Sequence, residues 1–473
     1  MRGLAWIAVL TALIGGLYGC GLVPYLSQGY DNALFDEVFD ELYNNHYSQP
    51  SEAQLWKGAI QGMIDSLDDP FTNYFDAEAY QAFREGQEES YVGIGITVEN
   101  VSEQVVVRNV FPGSPAEEAG LMAGDRITHV DGVDYRSKSF IETTSVIRGE
   151  PDTEVQIGYE RAGIESTIFV TMERRLIDNP SVSGEVLDNH IGVIRIHGFG
   201  AETVDIFNEY LDAFEAENIE SLILDLRDNG GGDLYTLIDL LNVFLSKEAK
   251  DIPLFTLETY DDRELVIYHE EGKTTERKPY PIVLLVNGRS ASASEVFAAA
   301  MYEYGGYPVF GTTTFGKGTL QSSIPLKSNL GDYLHLTIGR WLTSEGNWVH
   351  FTGDTPGFEP STIVEQNPYF NTPLLYLEAD ETYVYDQVHE KIKIAQQMMN
   401  AIGYTVREDG YFNSDMADQL AVFQSEKGLN VTGELDSETA HELSSNLFNF
   451  RQDISNDEQL TYAYAYLKDL LDD

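Results

Sequence analysis

At 473 residues the chain is too long for a single core, and its 42% hydrophobic content is ample for several folded domains. Its 78 acidic residues against 29 basic ones give a net charge of −49, a surface that repels nucleic acid and anionic lipid and argues against nucleic acid as a partner. Cys20 is the only cysteine, so no disulfide within the chain braces the fold.

Residues 1–28 read as a targeting or anchoring segment. Arg2 precedes an apolar run from Leu4 to Leu26 that is interrupted only by Thr11, glycines and Cys20. The run is long enough to span a bilayer as an uncleaved membrane anchor. Alternatively, Leu17-Tyr18-Gly19-Cys20 resembles a lipoprotein cleavage box behind a short apolar region. The lone cysteine favours lipidation, while bulky Tyr18 and apolar Leu22–Leu26 favour the anchor. Both readings place the body outside the cytoplasmic membrane, in the cell envelope, with secretion as a further outcome.

Residues 29–88 form a helical arm. Leu34, Phe35, Val38, Phe39 and Leu42 recur at helical spacing, Gln54–Leu67 continues the pattern, and Asp68-Asp69-Pro70 breaks it. Such an arm serves packing or homodimer formation and not catalysis.

Residues 89–174 switch to strands and turns. Gly93-Ile94-Gly95-Ile96 opens the segment, Pro112-Gly113-Ser114-Pro115-Ala116 starts a short helix, and Ala123-Gly124-Asp125-Arg126-Ile127 leads to an Asp131-Gly132 turn. In that order these motifs resemble a PDZ domain, a β-barrel-like module. A G-x-G-x nucleotide loop is the competing reading, but no βαβ unit accompanies it. Backbone N–H groups of Gly93, Ile94, Gly95 and Ile96 would then hold the terminal carboxylate of a peptide, which would pair with the edge of the next strand.

Residues 175–375 alternate short apolar strands (Ile191–Ile196, Ser221–Leu226, Ile282–Val286) with helical stretches, the pattern of an α/β layer with its site at strand ends. The run Ser290-Ala291-Ser292-Ala293-Ser294-Glu295 supplies a hydroxyl on a small-residue turn. Lys317 follows in the glycine-flanked slot Phe315-Gly316-Lys317-Gly318. A serine is a weak nucleophile until a base takes its proton, and a lysine serves only when its amine is neutral and lacks a carboxylate partner. No acid lies between Gly305 and Ser328, and Gln321 offers a neutral amide to hold the amine in line. Glu295–Tyr304 reads as a helix, so Ser292 and Ala293 fall in its first turn, where free N–H groups favour an oxyanion. Ser292-Ala-Ser-Glu295 is equally a capping box. Asp225 and Arg227 read as a salt bridge that orients the following glycine turn. His197 has no acid at useful spacing for a triad, and no H-E-x-x-H motif points to a metal.

Several stretches resemble the C-terminal processing peptidases: Gly58–Met63 with Leu67–Thr72, Leu224-Asp-Leu-Arg-Asp-Asn-Gly-Gly-Gly232, the serine run, Gly311–Gly318 and Leu336–Trp341. The resemblance covers about residues 30–365. It implies a multidomain α+β protein with a crotonase-like or ClpP-like α/β core that cuts secreted proteins with a Ser–Lys dyad and without a cofactor. Ser292 would be the nucleophile, Lys317 the general base and Gln321 its orienter. The oxyanion donors would be the Ala293 N–H and one N–H of Gly230-Gly231-Gly232, with Gly231 preferred. Ser290 and Ser294 remain lesser candidates for the nucleophile. The PDZ module would admit protein or peptide substrates by their C-termini. A non-cleaving scaffold that pairs a PDZ module with cell-wall binding is the alternative.

Residues 384–447 contain an internal echo. Gly410–Leu420 and Gly433–Leu443 both follow G-x-[FL]-[ND]-S-x-x-A-x-x-L, each a glycine turn, a polar cap and a helix. With Ile394–Tyr404 ahead, the segment resembles a small helical peptidoglycan-binding domain, with a plain three-helix interaction module as the alternative. Residues 448–473 close with an amphipathic helix bearing Leu460, Tyr464 and Leu467 on one face, suited to docking on the core or on a partner subunit.

Overall fold

The computed structural model describes residues 32–472, with short gaps such as 246–252, 268–276 and 352–356. Two compact units divide after Tyr74. The first is a helical hairpin of α1 (Asn32–Asn45) and α2 (Glu52–Asp65), started by a capping box in which Ser51 and Gln54 exchange hydrogen bonds. Phe35 and Phe39 set their rings against Trp56 at 5.5 and 5.1 Å, yet Leu34, Val38, Leu42 and Met63 remain exposed. Among the described residues no helix is long and apolar enough to cross a membrane. The apolar run Leu4–Leu26, with Cys20, lies outside the described residues.

The second unit begins with α3 (Ala77–Glu85) and continues into the PDZ module. β1 (Ser90–Gly93) pairs with β7 (Arg175–Asp178) and ties the module's two ends together. Between them lies an antiparallel sheet of β2 (Ile96–Val101), β3 (Gln104–Val110), β4 (Arg126–Val130), β5 (Glu154–Glu160) and β6 (Ile168–Glu173), in that spatial order. α4 (Pro115–Glu118) and α5 (Phe140–Ile147) complete the module. β2 is therefore an edge strand.

The core sheet runs β8 (Val182–Leu187), β9 (Ile191–Ile196), β10 (Ser221–Asp225), β13 (Ile282–Val286), β14 (Val309–Gly311) and β17 (Thr362–Ile363). All pairs are parallel except β8 with β9. Every residue of β10 and β13 is buried, the continuous apolar pattern of parallel strands covered on both faces. Alternation assigns the faces. Leu222, Leu224, Ile282 and Leu284 meet α6 (Thr203–Ala216), α7 (Leu234–Phe244) and α8 (Ala293–Glu303). Ile223, Val283 and Leu285 instead meet α12 (Glu458–Asp472). The three strand stretches and the helices read from the sequence are in place; the helix after Ser292 starts two residues earlier than its spacing predicts.

A second sheet is formed by β11 (Phe255–Thr259), β12 (Glu264–Ile267), β15 (Thr319–Pro325) and β16 (Tyr333–Thr343), with β16 between β15 and β11. The helical module comprises α9 (Glu390–Ala401), α10 (Ser414–Lys427) and α11 (Ser437–Gln452) around Ile392, Met399, Phe412, Leu420, Phe423 and Leu443. Asn413 and Asp436 cap the two repeat helices, and Gly410 and Gly433 take positive φ just before them, as the repeat motif requires. This module touches the PDZ module: a side chain at Gly124 would meet the His441 ring at 2.8 Å.

Candidate active site

Three strands of the core sheet deliver the site from their carboxyl ends, where open α/β sheets place ligands. β10 runs into the Asp225–Gly232 turn, β13 into Ser292, and β14 into the loop that carries Lys317.

Ser292 stands between the end of β13 and the first turn of α8, with φ 56° and ψ −117°. A non-glycine residue in that region is strained, and it persists only where its surroundings fix it. The three serines separate cleanly. The Ser290 hydroxyl donates to the Leu226 carbonyl at 2.8 Å and accepts the Asn287 N–H, while the Ser294 hydroxyl donates to the Asn229 carbonyl at 2.9 Å; both residues are fully buried. These two join the serine run to the β10 turn. Ser292 alone of the three is partly exposed.

Glu295 does more than cap the helix. Its Oε2 accepts the Ser292 N–H and the Lys317 N–H, each at 2.8 Å. Its Oε1 accepts the Thr314 hydroxyl at 2.5 Å and the Gly316 N–H at 2.7 Å. The backbone nitrogens of Ser292 and Lys317 are thus at most twice 2.8 Å apart, held by one oxygen. Burial pushes the Glu295 carboxyl above its ordinary value, and the four donors pull against that rise. Sequence reasoning saw Glu295 only as a capping residue. The signal it lacked was the fold-back of residues 314–317 onto the same helix start.

The lysine loop is fixed from its other side by two indoles. Trp341 Nε1 donates to the Lys317 carbonyl at 2.9 Å and Trp348 Nε1 to the Gly318 carbonyl at 2.8 Å. Gly318 has no room for a side chain, because a Cβ there would lie 2.6 Å from the Val349 carbonyl oxygen. Lys317 is half-buried. Burial, and behind it the charge of Lys317, push the His335 imidazole on β16 below its ordinary value. Gln321 lies on β15 next to a bulge, and its amide nitrogen donates to the hydroxyls of Thr319 at 2.9 Å and Thr337 at 3.1 Å. Those same two threonines line a groove of about 520 Å³ that also includes Glu258, Arg340 and Trp348.

The glycine turn closes the site. Asn229 donates to the Ile196 carbonyl at 2.8 Å, and its carbonyl accepts the Ala291 N–H at 2.9 Å. Gly231, with φ 104°, sits so near Ser292 that an added Cβ would be 2.9 Å from Ser292 Cβ. Its N–H donates to Asn229 Oδ1 at 2.8 Å, so in this structure that hydrogen is directed at the asparagine. The Ala293 N–H belongs to the first helical turn, which has no intrahelical acceptor. Asp225 and Arg227 form the expected pair, at 2.8 Å, and Arg195 adds a second cation to the same carboxylate at 2.6 Å. His197 pairs with the Ser183 hydroxyl at 2.8 Å.

In the PDZ module, Gly93 ends β1, Ile94 is buried in the module's core, and Ile96 begins β2 at the sheet edge. Gly95 takes φ 82° with Ser114 packed where a Cβ would stand, so only glycine fits.

Residues 190–360 match peptidase family S41, and residues 92–172 match the PDZ domain. Residues 388–443 match a peptidoglycan binding domain, and residues 29–79 match the N-terminal domain of the activating protease CtpB. Carboxy-terminal processing protease CtpA of Bacillus subtilis (strain 168) is 33% identical across 98% of this chain and 98% of its own length. The chain belongs to this S41 protease family. It is a serine endopeptidase of the carboxy-terminal processing kind, with a PDZ domain and a peptidoglycan-binding domain. Carboxy-terminal processing protease CtpB of the same organism is 32% identical over 91% of this chain and 88% of its own. A solved photosystem II D1 C-terminal processing protease is 25% identical, covering 70% of this chain and 86% of that one with a TM-score of 0.44. Among the described residues no group of His, Cys, Asp and Glu could hold a metal ion.

Proposed function

We propose that this S41 protease cleaves envelope proteins through a Ser292–Lys317 dyad. The Lys317 amine, once it has given up its own proton, takes the Ser292 hydroxyl proton as Oγ attacks the scissile carbonyl carbon. The carbonyl oxygen becomes an oxyanion, received by the Ala293 N–H and by an N–H of the Gly230–Gly232 turn. Gly231 joins as a donor once its N–H turns from Asn229 Oδ1, a rotation that glycine permits. The lysine then protonates the leaving amine, the peptide bond breaks, and water attacks the acyl ester with Lys317 again as base. Gln321, whose amide hydrogens are held by Thr319 and Thr337, turns its carbonyl oxygen toward the lysine amine and orients it.

The observation that carries this reading is the shared carboxylate: Glu295 Oε2 accepts the backbone N–H groups of both Ser292 and Lys317 and so holds the two backbones at one point. The groove of about 520 Å³ beside Thr319 and Thr337 takes the extended substrate chain. Substrates are selected at the PDZ module, where the Gly93–Ile96 turn receives the terminal carboxylate and the peptide adds to the open edge of β2. The peptidoglycan-binding domain and the N-terminal segment hold the enzyme in the envelope, at the wall and the membrane. The exposed apolar face of α1 and α2 fits a homodimer.

Casein digestion by the wild type, Ser292→Ala and Lys317→Ala, with folding followed by circular dichroism, tests the dyad. Both variants are expected to remain folded and to lose on the order of 10⁴-fold or more in turnover. Retained turnover in Lys317→Ala assigns the base elsewhere, and retained turnover in Ser292→Ala removes the nucleophile.

A further inference from the structure

α12 lies almost a hundred positions beyond the end of the S41 match, with the whole helical module between them. Even so, it covers one face of the catalytic sheet. Leu460, Ala463 and Leu467 are buried against Ile223, Val283 and Leu285, and Tyr462 and Tyr466 meet the Phe310 ring edge-on at 5.1 and 5.0 Å. This face is a dry interface of the kind found inside a domain.

At the start of α12 the contact turns polar. Asp457 Oδ1 accepts Arg227 Nη1 at 2.7 Å and the Leu460 N–H at 3.0 Å, and Gln366 Nε2 donates to the same oxygen at 2.8 Å. Gln459 Oε1 also accepts from Arg227 Nη1, at 3.3 Å. The other edge of the guanidinium binds Asp225, with Nε to Oδ1 at 2.9 Å and Nη2 to Oδ2 at 2.8 Å. Arg227, Asp225 and Asp457 are all buried.

Arg227 is divided between two carboxylates. Asp225 takes its Nε and Nη2 and is also reached by Arg195, whose side chain is 42% exposed and stays solvated. Asp457, with Gln459, supplies the acceptors for the buried Nη1 edge that Asp225 does not reach. An unbalanced buried guanidinium is strongly unfavourable, and it would turn toward water and take its backbone with it. That backbone leads in two residues to Asn229, which anchors the Ala291 N–H, the Ser294 hydroxyl and the Gly231 N–H.

We infer that Asp457 is a positioning residue for the peptidase reaction. Carried on a helix outside the peptidase segment, it fixes Arg227 and through it the Asn229–Gly232 turn against Ser292. The inference rests on the Ser292–Lys317 reading above, and it acts on oxyanion stabilisation and not on substrate binding.

The test is steady-state cleavage of a peptide substrate by the full chain, with active sites counted by a serine-reactive fluorophosphonate. Asp457→Asn keeps the size and the acceptor for Leu460 and removes the charge. It is expected to lower kcat per titrated site by about tenfold or more with KM within about twofold, and Asp457→Glu is expected to recover part of that loss. Unchanged kcat per titrated site in folded Asp457→Asn overturns the inference, as does a loss found only in KM or only in the number of titratable sites. If Asp457→Asn does not fold, Gln459→Leu, which retains the charge and removes the acceptor for Arg227 together with the donor to the Val364 carbonyl, is expected to lower kcat by about two- to fivefold, and no change in kcat overturns the inference. Failure of the dyad reading is distinguished by Ser292→Ala: activity in that variant sinks the dyad itself, whatever Asp457→Asn does.

Discussion

Glu295 is fully buried and accepts four hydrogen bonds on two oxygens, three of them from backbone N–H groups. Glutamine at this position keeps one acceptor oxygen and turns an NH₂ toward two of the donors. Glu295→Gln is therefore expected to cost about 1–3 kcal/mol of unfolding free energy and to lower kcat by about tenfold or more, measured by urea titration and peptide cleavage. Equal kcat would show that the lysine loop holds its place without the carboxylate. The contrast with Ser292 and Lys317 is instructive. Those two stand out in the sequence as candidates because a Ser–Lys dyad demands their residue types and neighbours. Glu295 was legible only as a cap, because its other partners lie at 314–317 and come back to it only in the folded sheet. The same applies to Ser290 and Ser294, whose acceptors are carbonyls on the β10 turn.

Among the elements, α12 was recognisable by its apolar stripe, and Leu460 and Leu467 are indeed buried, with Ala463 filling the space between them and Tyr464 only partly covered. A stripe does not name the surface it will cover, and here the surface is the Ile223–Val283–Leu285 face of the core sheet. The acids at this junction give the element a pH signature. Burial works to raise the Asp225 carboxyl, but the charges of Arg227 and Arg195 and the hydrogen bonds from Arg227 outweigh it and hold the group well below the ordinary carboxylate range. Burial likewise works upward on Asp457, and the hydrogen bond and charge of Arg227, with the Leu460 N–H and Gln366, hold it below its ordinary value. Both folded-state values lie under the unfolded value of about 3.9, so their stabilisation is complete above that pH and is lost as the pH falls below it. Melting temperature followed from pH 6 down to about pH 3 is expected to fall less steeply in Asp457→Asn than in the wild type, with no difference in slope above pH 6. Parallel curves across the acid range would mean that Asp457 is not selectively ionised by folding.

At the scale of the whole molecule, the helical module is an insertion between the S41 segment and the helix that completes the core. Its two ends meet: Arg451 Nη2 donates to the Thr372 carbonyl, and Phe370 faces Phe450 at 5.9 Å. Residues 373–452 can therefore be replaced by a flexible linker of about four to six Gly/Ser residues without displacing Asp457. Two consequences separate. Loss of the module removes the peptidoglycan-binding domain, so the excised protein is expected to stay in the supernatant when isolated cell walls are pelleted. The core sheet, the dyad and α12 are all retained, so turnover per active site on a short peptide without a C-terminal anchor is expected to stay within about threefold of the wild type. Removing 373–473 instead takes Asp457 and the apolar cover of Ile223, Val283 and Leu285, and turnover is expected to be lost. The PDZ module loses its His441 neighbour at Gly124 in both deletions, so a change confined to substrates recognised by their C-termini would trace to that contact and leave the catalytic assignment intact. Undiminished pelleting of the excised chain would move wall binding to another part of the molecule, and equal turnover in the two deletions would remove α12 from the catalytic unit.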